Sequence, residues 1–261
     1  MDELALLHLL QLADSSLPTG LFAHSFGLEA LVQEDLLAQC GADTKATGPT
    51  RAGSNSGGGG GPPLTPAQQR ANALAAVLRA RLAYEQGQVE VPLLFAAHAA
   101  ALQHDLAALE DLCQLAAATR TVREWRLAAE QAGQRLLYVV ADLAPDALPE
   151  GLRPQTRVPF PRPLPLCVAF GLVAACLGCR ATDAALAYTL QGVMAAAAAA
   201  VRLGLFGQRD AQRLVHLLKP DMLAAIQEAL VLPLSDLGGS IPLLEIAGMR
   251  HEFGDSRLFA S

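Results

Sequence analysis

Two stretches of this chain decide early what it can fold into. Residues 163–179, "PLPLCVAFGLVAACLGC", and residues 184–201, "AALAYTLQGVMAAAAAAV", contain no charged side chain. A helix that is apolar on every side needs either a surrounding protein core or lipid. The first run is short and is interrupted by Pro165, Gly171 and Gly178, and the second is largely alanine, only weakly lipophilic, with Gln191 and Gly192 at its centre. The expectation is a pair of buried helices inside a bundle, with a membrane helical hairpin as the alternative.

The remaining text supports a bundle. Alanine and leucine dominate, while aromatic and β-branched residues are scarce, a mix that favours helices over strands. No alternation long enough to build a sheet is present, and no internal repeat. At 261 residues a single domain is expected, long enough to bury a sizeable core. The fold class is therefore all-α: a single-domain multi-helix bundle over residues 1–261, with a disordered Gly-rich insertion and an extended C-terminal tail.

Local signals place the helices. A first spans residues 3–13 and stops at "DSSLPTG", where Pro18 and Gly20 break it. A second starts near Ser25 and runs to about Ala38. The segment 40–63, "CGADTKATGPTRAGSNSGGGGGPP", cannot offset its own ordering entropy and reads as a flexible insertion between helices. Thr65 then serves as an N-cap with Pro66 at the first helical position. Gly87 and Pro92 punctuate before "VPLLFAAHAAALQHD" restarts a helix, and Leu106, Leu109, Cys113 and Leu115 mark another.

Residues 119–142 show the clearest amphipathic period, with Trp125, Ala128, Ala129, Ala132, Leu136, Val139 and Val140 on one face and Arg123, Arg126, Glu130 and Arg135 off it. Thr182 and Asp183 offer a cap for the second apolar run. A late helix begins near Gln208 or Arg209, and Pro220 forces a kink or a break in it. From Val231 to the end, 231–261, the periodicity fades into a tail with apolar anchors among charges.

Charge and cysteine usage narrow the function. The net charge of −6, with Lys45 and Lys219 the only lysines, argues against a surface built to neutralise phosphates, so no nucleic-acid partner is expected. Five cysteines, an odd number, lie mostly in apolar helical text. The opening "MDELALLHLL" carries acids where a secretory signal would carry positive charge. The expected compartment is the reducing cytoplasm.

Catalytic constellations fail one by one. Cys176 and Cys179 form a lone C-x-x-C with no second pair, so they read as small buried helix residues, with a zinc-dependent hydrolase as the rival reading. His98 and His104, six apart, do not share a helix face as i,i+4 ligands would. His8 and His216 read as partly buried helix histidines. His24 and Ser25 are adjacent and lack a third partner, and no strand-turn-helix context surrounds them. The pentaglycine run lacks the lysine and hydroxyl of a phosphate-binding loop. No enzyme is expected.

The ends of the chain carry a resemblance. "LLQLADSSLPTGLFAHSFGLEA" and the terminal "MRHEFGDSRLFAS" are similar to the end signatures of the urease accessory protein UreF family, as are "TRTVREWRLAAEQAGQRLL", "FGLVAACLG" and "AAVRLGLFGQRDAQRLV" between them. Leu21, Leu205, Ala211 and Asp255 depart from that family's usual residues. The resemblance implies an all-helical, non-catalytic subunit with no cofactor of its own. It would bind the accessory protein UreD or UreH, recruit the GTPase UreG, and help deliver nickel, as cargo, to apo-urease, working as a homodimer within the complex. Family contact positions fall on Phe22, Arg202 and Arg257. The implied partner-binding set is Phe22, His24, Ser25 and Glu29 in the opening turn, Arg202 and Gln208 in the middle, and Arg250, His251, Glu252, Ser256, Arg257, Leu258 and Phe259 in the tail. Bland alternatives exist: Phe22 as a hydrophobic staple, Arg202 as a solvated helix end, Glu29 serving its own helix.

Overall fold

The computed structural model describes residues 2–14, 16–20, 24–37, 64–149, 163–252 and 258–260. The Gly-rich insertion 40–63, Phe22, Ser256 and Arg257 lie outside the described residues. The architecture is all-α, with no strand among the described residues.

The helices run α1 (Glu3–Leu12), α2 (Leu28–Gln33), α3 (Pro66–Ala80), a π-helical stretch (Arg81–Glu90), α4 (Val91–Leu102), α5 (Leu106–Thr119) and α6 (Arg123–Leu143). They continue with α7 (Leu166–Cys176), α8 (Ala181–Arg202), α9 (Gln208–Leu217), α10 (Lys219–Ala229) and α11 (Pro242–His251). The start of α3 follows its sequence signal: Thr65 caps the Gln68 amide while the Gln68 side chain reaches back to the Thr65 amide.

The α7 helix is the centre of the fold. Every residue from Leu166 to Ala175 is buried, and the helix packs mainly on α4 and α6. Gly171 lies against the Leu94 carbonyl so closely that no Cβ would fit there, which lets the two backbones approach. The second apolar run is α8. Its first half, with Ala184, Ala185 and Tyr188, belongs to the core around α7, and its second half, with Val193, Ala196 and Ala200, to a second core formed with α2, α3, α9 and α10. Gln191 spends its polarity inside, donating to the Leu12 carbonyl at the end of α1 at 3.0 Å. Among the described residues α8 is the one helix long and apolar enough to cross a membrane, and 61% of its apolar window is buried in the protein. With 11 residues, α7 is too short to be the other arm of a hairpin.

Several boundaries differ from expectation. Gly87 and Pro92 do not break the chain, because the helical path runs from Pro66 to Leu102 through a widened turn. The Val91 amide reaches back five residues to the Gln86 carbonyl, making room for the Pro92 ring, and Gly87 lets Ala225 of α10 approach. α2 ends after six residues because Asp35 adopts a left-handed conformation, φ 54°. Arg180, not Thr182 or Asp183, precedes α8, and Asp183 instead receives a forked pair of bonds from the Arg180 guanidinium at 2.6 and 2.9 Å. Pro220 does separate two helices, α9 and α10.

The region after Val231 is not simply a tail. Pro242 opens α11 at its first position, and Glu245 accepts the Ile241 amide at 2.9 Å and the Thr121 hydroxyl at 2.9 Å.

Candidate partner-binding site

The opening turn is held from several sides. Gly20 and Gly27 take left-handed backbone, φ 82° and 83°, and Gly27, not Ser25, immediately precedes α2; Ser25 is buried and braces the first turn, its hydroxyl accepting the Glu29 amide at 3.3 Å. The Arg81 guanidinium stands over the Phe26 ring at 5.3 Å. Arg81 belongs to a half-buried ion network in which Glu85 pairs with Arg81 at 2.8 Å and Arg120 at 3.7 Å, and Arg120 also pairs with Glu90. Burial works against the charged form of Glu85, but Arg81 and Arg120 outweigh it and hold the carboxyl below its usual range.

Trp125, the chain's single tryptophan, is where three distant segments meet. A Cβ on Gly27 would stand 2.9 Å from its ring and one on Gly248 of α11 2.6 Å, so both glycines are needed for the opening turn and α11 to close on the indole.

Beside it lies a clamp built around Glu29, whose side chain is 2% exposed. One carboxylate oxygen accepts the Leu258 amide at 2.7 Å and the Gln33 side chain at 3.1 Å. The other accepts the Phe259 amide at 3.0 Å and lies 3.1 Å from His251 Nε2. The other ring nitrogen of His251 lies 3.1 Å from a Glu124 oxygen on α6. Burial alone would raise the Glu29 pKa, but the two tail amides and His251 outweigh it, and the carboxyl is held below its ordinary value. Phe259 is buried, 4% exposed, in the second core, with the Arg202 guanidinium over its ring at 4.3 Å.

Glu29 therefore does more than serve its own helix, and Arg202 is not merely a solvated helix end. Leu258, by contrast, is 64% exposed. Leu243, Ile246 and Met249, spaced three apart along α11, are exposed as well. These three form an apolar stripe along the solvent side of α11. Two rim ion pairs frame it: Arg250 with Glu34 at 2.7 Å and Arg123 with Glu252 at 2.8 Å. Both arginines are well exposed, so these pairs set register more than stability.

His24 is half-buried, its ring 5.7 Å from that of Phe26, and burial followed by the Arg135 charge lowers its pKa against the pull of Glu124. Gln208 is exposed at the start of α9 and is not brought into the clamp by any described contact. Sequence reasoning missed Glu124, Trp125 as a meeting point, and the Arg81, Glu85, Glu90 and Arg120 network. The available signal was the burial-demanding Gly27 and Gly248 at either end of the chain.

The rival chemistry finds little footing. Burial pushes the Cys179 thiol up to about 11, with Asp183 adding to it, and raises Cys176 as well, leaving neither as a ready thiolate. Cys179 sits in the turn after α7 rather than on a helix, and its carbonyl lies 2.8 Å from His98 Nε2. His216 is exposed, not partly buried. Among the described residues no three His, Cys, Asp or Glu side chains gather as a metal-holding group.

Comparison with known proteins identifies the family. The family model described as UreF matches residues 69–219. A Chromohalobacter salexigens protein named urease accessory protein UreF is 31% identical over 263 aligned positions, covering 100% of this chain and 96% of its own length. Proteins of the same name from Bacillus sp. (strain TB-90), 29% identical with 98% of this chain and 99% of that one covered, and from Rhodopseudomonas palustris, 34% identical with 73% and 78% covered, are similar too. The full-length matches include both ends that build the clamp. The family is one of accessory proteins, not of enzymes. With more than half of its length matched by the family model and its whole length by a relative, the chain belongs to the UreF family of urease accessory proteins.

Proposed function

We propose that this chain is a non-catalytic subunit of a nickel-delivery complex for urease, acting by presenting surfaces and holding no cofactor of its own. The carrying observation is the pairing of two features at the C-terminal end: a buried carboxylate fastens the Leu258 and Phe259 amides, and α11 turns Leu243, Ile246 and Met249 outward as an apolar stripe. Such a stripe with a charged rim suits a protein partner, and we assign it to UreD or UreH. UreG and apo-urease would join that assembly, with nickel as cargo, in the cytoplasm and without nucleic acid or membrane.

Removal of residues 249–261 is expected to abolish capture of the UreD/UreH partner. The sharper variant is Ile246→Glu, which leaves the clamp intact and charges the stripe. Loss of capture in both supports the reading; full capture by Ile246→Glu overturns it.

Self-association is supported by a second apolar face. Leu6, Leu10, Leu186, Leu190 and Leu223 line a groove of about 380 Å³ between α1, α8 and α10. We assign it to a second copy of this chain. The expected result is a dimer in the complex by light scattering that Leu186→Glu converts to a monomer.

A further inference from the structure

Among the described residues, two buried side-chain polar atoms have no hydrogen-bond partner in the protein: Gln86 Oε1 and Trp125 Nε1. Each belongs to a residue that is 6% exposed. A donor or acceptor shut away from bulk water without a partner costs as much as a lost hydrogen bond or more, so each needs a physical reason to be there.

The two residues line two small cavities that flank one ion pair. Gln86 lines a cavity of about 50 Å³ with Phe26, Arg81, Tyr188 and Gln191, and Trp125 lines one of about 40 Å³ with Glu85, Thr121 and Glu245. Glu90 and Arg120, paired with each other, line both. At roughly 10–15 Å³ for each water, either space suits a few water molecules and nothing much larger. Gly192 of α8 keeps the first cavity furnished: a Cβ there would stand 2.6 Å from Gln86 Nε2 and displace the amide.

The walls select the occupant. In the first cavity the guanidiniums of Arg81 and Arg120 repel a cation, and Glu85 and Glu90 already meet their charges, which leaves little to hold an anion. In the second, Glu85, Glu90 and Glu245 repel an anion, and no three His, Cys, Asp or Glu side chains among the described residues gather as a metal-holding group. Glu85 is engaged by Arg81 and Arg120, and Glu245 by the Ile241 amide and the Thr121 hydroxyl. Gln86 Oε1 needs a donor and Trp125 Nε1 an acceptor, and water serves as either.

We propose that both cavities are water sites. A water in the first donates to Gln86 Oε1, and a water in the second accepts the Trp125 indole N–H and donates to a neighbouring carboxylate. The Glu90 and Arg120 pair, which ties the π-helical stretch to the residues between α5 and α6, is thereby hydrated on both sides. The proposal stands independently of the accessory role and of which protein binds the stripe.

The test uses the full native chain. Because Trp125 is the single tryptophan, its indole N–H gives one resonance, and that proton is expected to show a direct Overhauser effect to water with the sign of a molecule that tumbles with the protein. A crystal structure of the same chain is expected to show one water at about 2.7–3.2 Å from Gln86 Oε1 and another at a similar distance from Trp125 Nε1. In Gln86→Met, which keeps the length of the side chain and loses its oxygen, the first water is expected to disappear while the Trp125 effect stays. Water at both atoms of the native chain supports the proposal. A direct protein partner on either atom, an ion in either cavity, or no water beside the indole by either method overturns it. So does a folded Gln86→Met that keeps the first water in place.

Discussion

The α7 helix and the clamp around Glu29 are both shielded from water, yet they are held by different physics. α7 is surrounded by Leu, Val, Ala and Phe side chains and has no ionisable side chain apart from its cysteines. Its stability comes from apolar area removed from water and from close backbone approach at Gly171. The clamp is a set of charged and polar groups from four distant segments, each satisfied by another, with one aromatic anchor, Phe259. A packed apolar core tolerates no local opening, whereas a polar fastening can open without unfolding the rest. The first suits a scaffold, and the second suits a joint where separate segments of the chain are fastened together.

The largest effect is expected where the comparison is starkest. Phe170→Ala, at a fully buried position in α7, should cost about 3–5 kcal/mol and lower the melting temperature by roughly 10 °C in thermal unfolding. Glu29→Ala should weaken tail docking by at least about 2 kcal/mol, since it strands the tail amides and His251. Its melting temperature should stay close to that of the native chain, while protease cuts the terminus and Trp125 emission shifts to the red. A large fall in melting temperature would erase the distinction drawn between the two regions. Phe259→Ala should weaken docking by about 1.5–3 kcal/mol through lost burial, and Arg202→Ala by about 0.5–1 kcal/mol through the lost ring contact.

Acid provides a further probe of the clamp alone. Glu29 has a lower pKa when the tail is docked than when the chain is unfolded, so its contribution is complete above the unfolded value and is lost as pH falls through the docked one. Trp125 emission should report tail release below about pH 4, ahead of any loss of helix around α7.

The two regions were unequally legible in the sequence. Periodicity found the buried face of α6 nearly residue by residue, with Trp125, Ala128, Ala129, Ala132, Leu136 and Val140 buried and Val139 half-buried. The uncharged runs found α7 and α8, and the cap found α3. All of these are local patterns. The link between Glu29 and His251 joins positions 222 apart, and nothing periodic encodes such a pair. Gly87 and Pro92 misled because breaker residues were weighed as local punctuation, while a widened turn and the approach of Ala225 made them helical. α11 was missed because its apolar residues face both inward to Trp125 and outward to solvent, which blurs its amphipathic period. The resemblance marked both ends of the chain as partner-binding, but only the fold brings Gly27, Glu29, Gly248 and Phe259 to one place.

The central claim is that the clamp builds the partner surface. Its most direct measurement is the affinity of the purified UreD/UreH partner for the native chain and for Glu29→Ala, with melting temperatures recorded on the same samples. The account predicts binding lost or weakened at least about tenfold with the melting temperature nearly unchanged. Native affinity in a variant whose Leu258 and Phe259 amides exchange freely would contradict it.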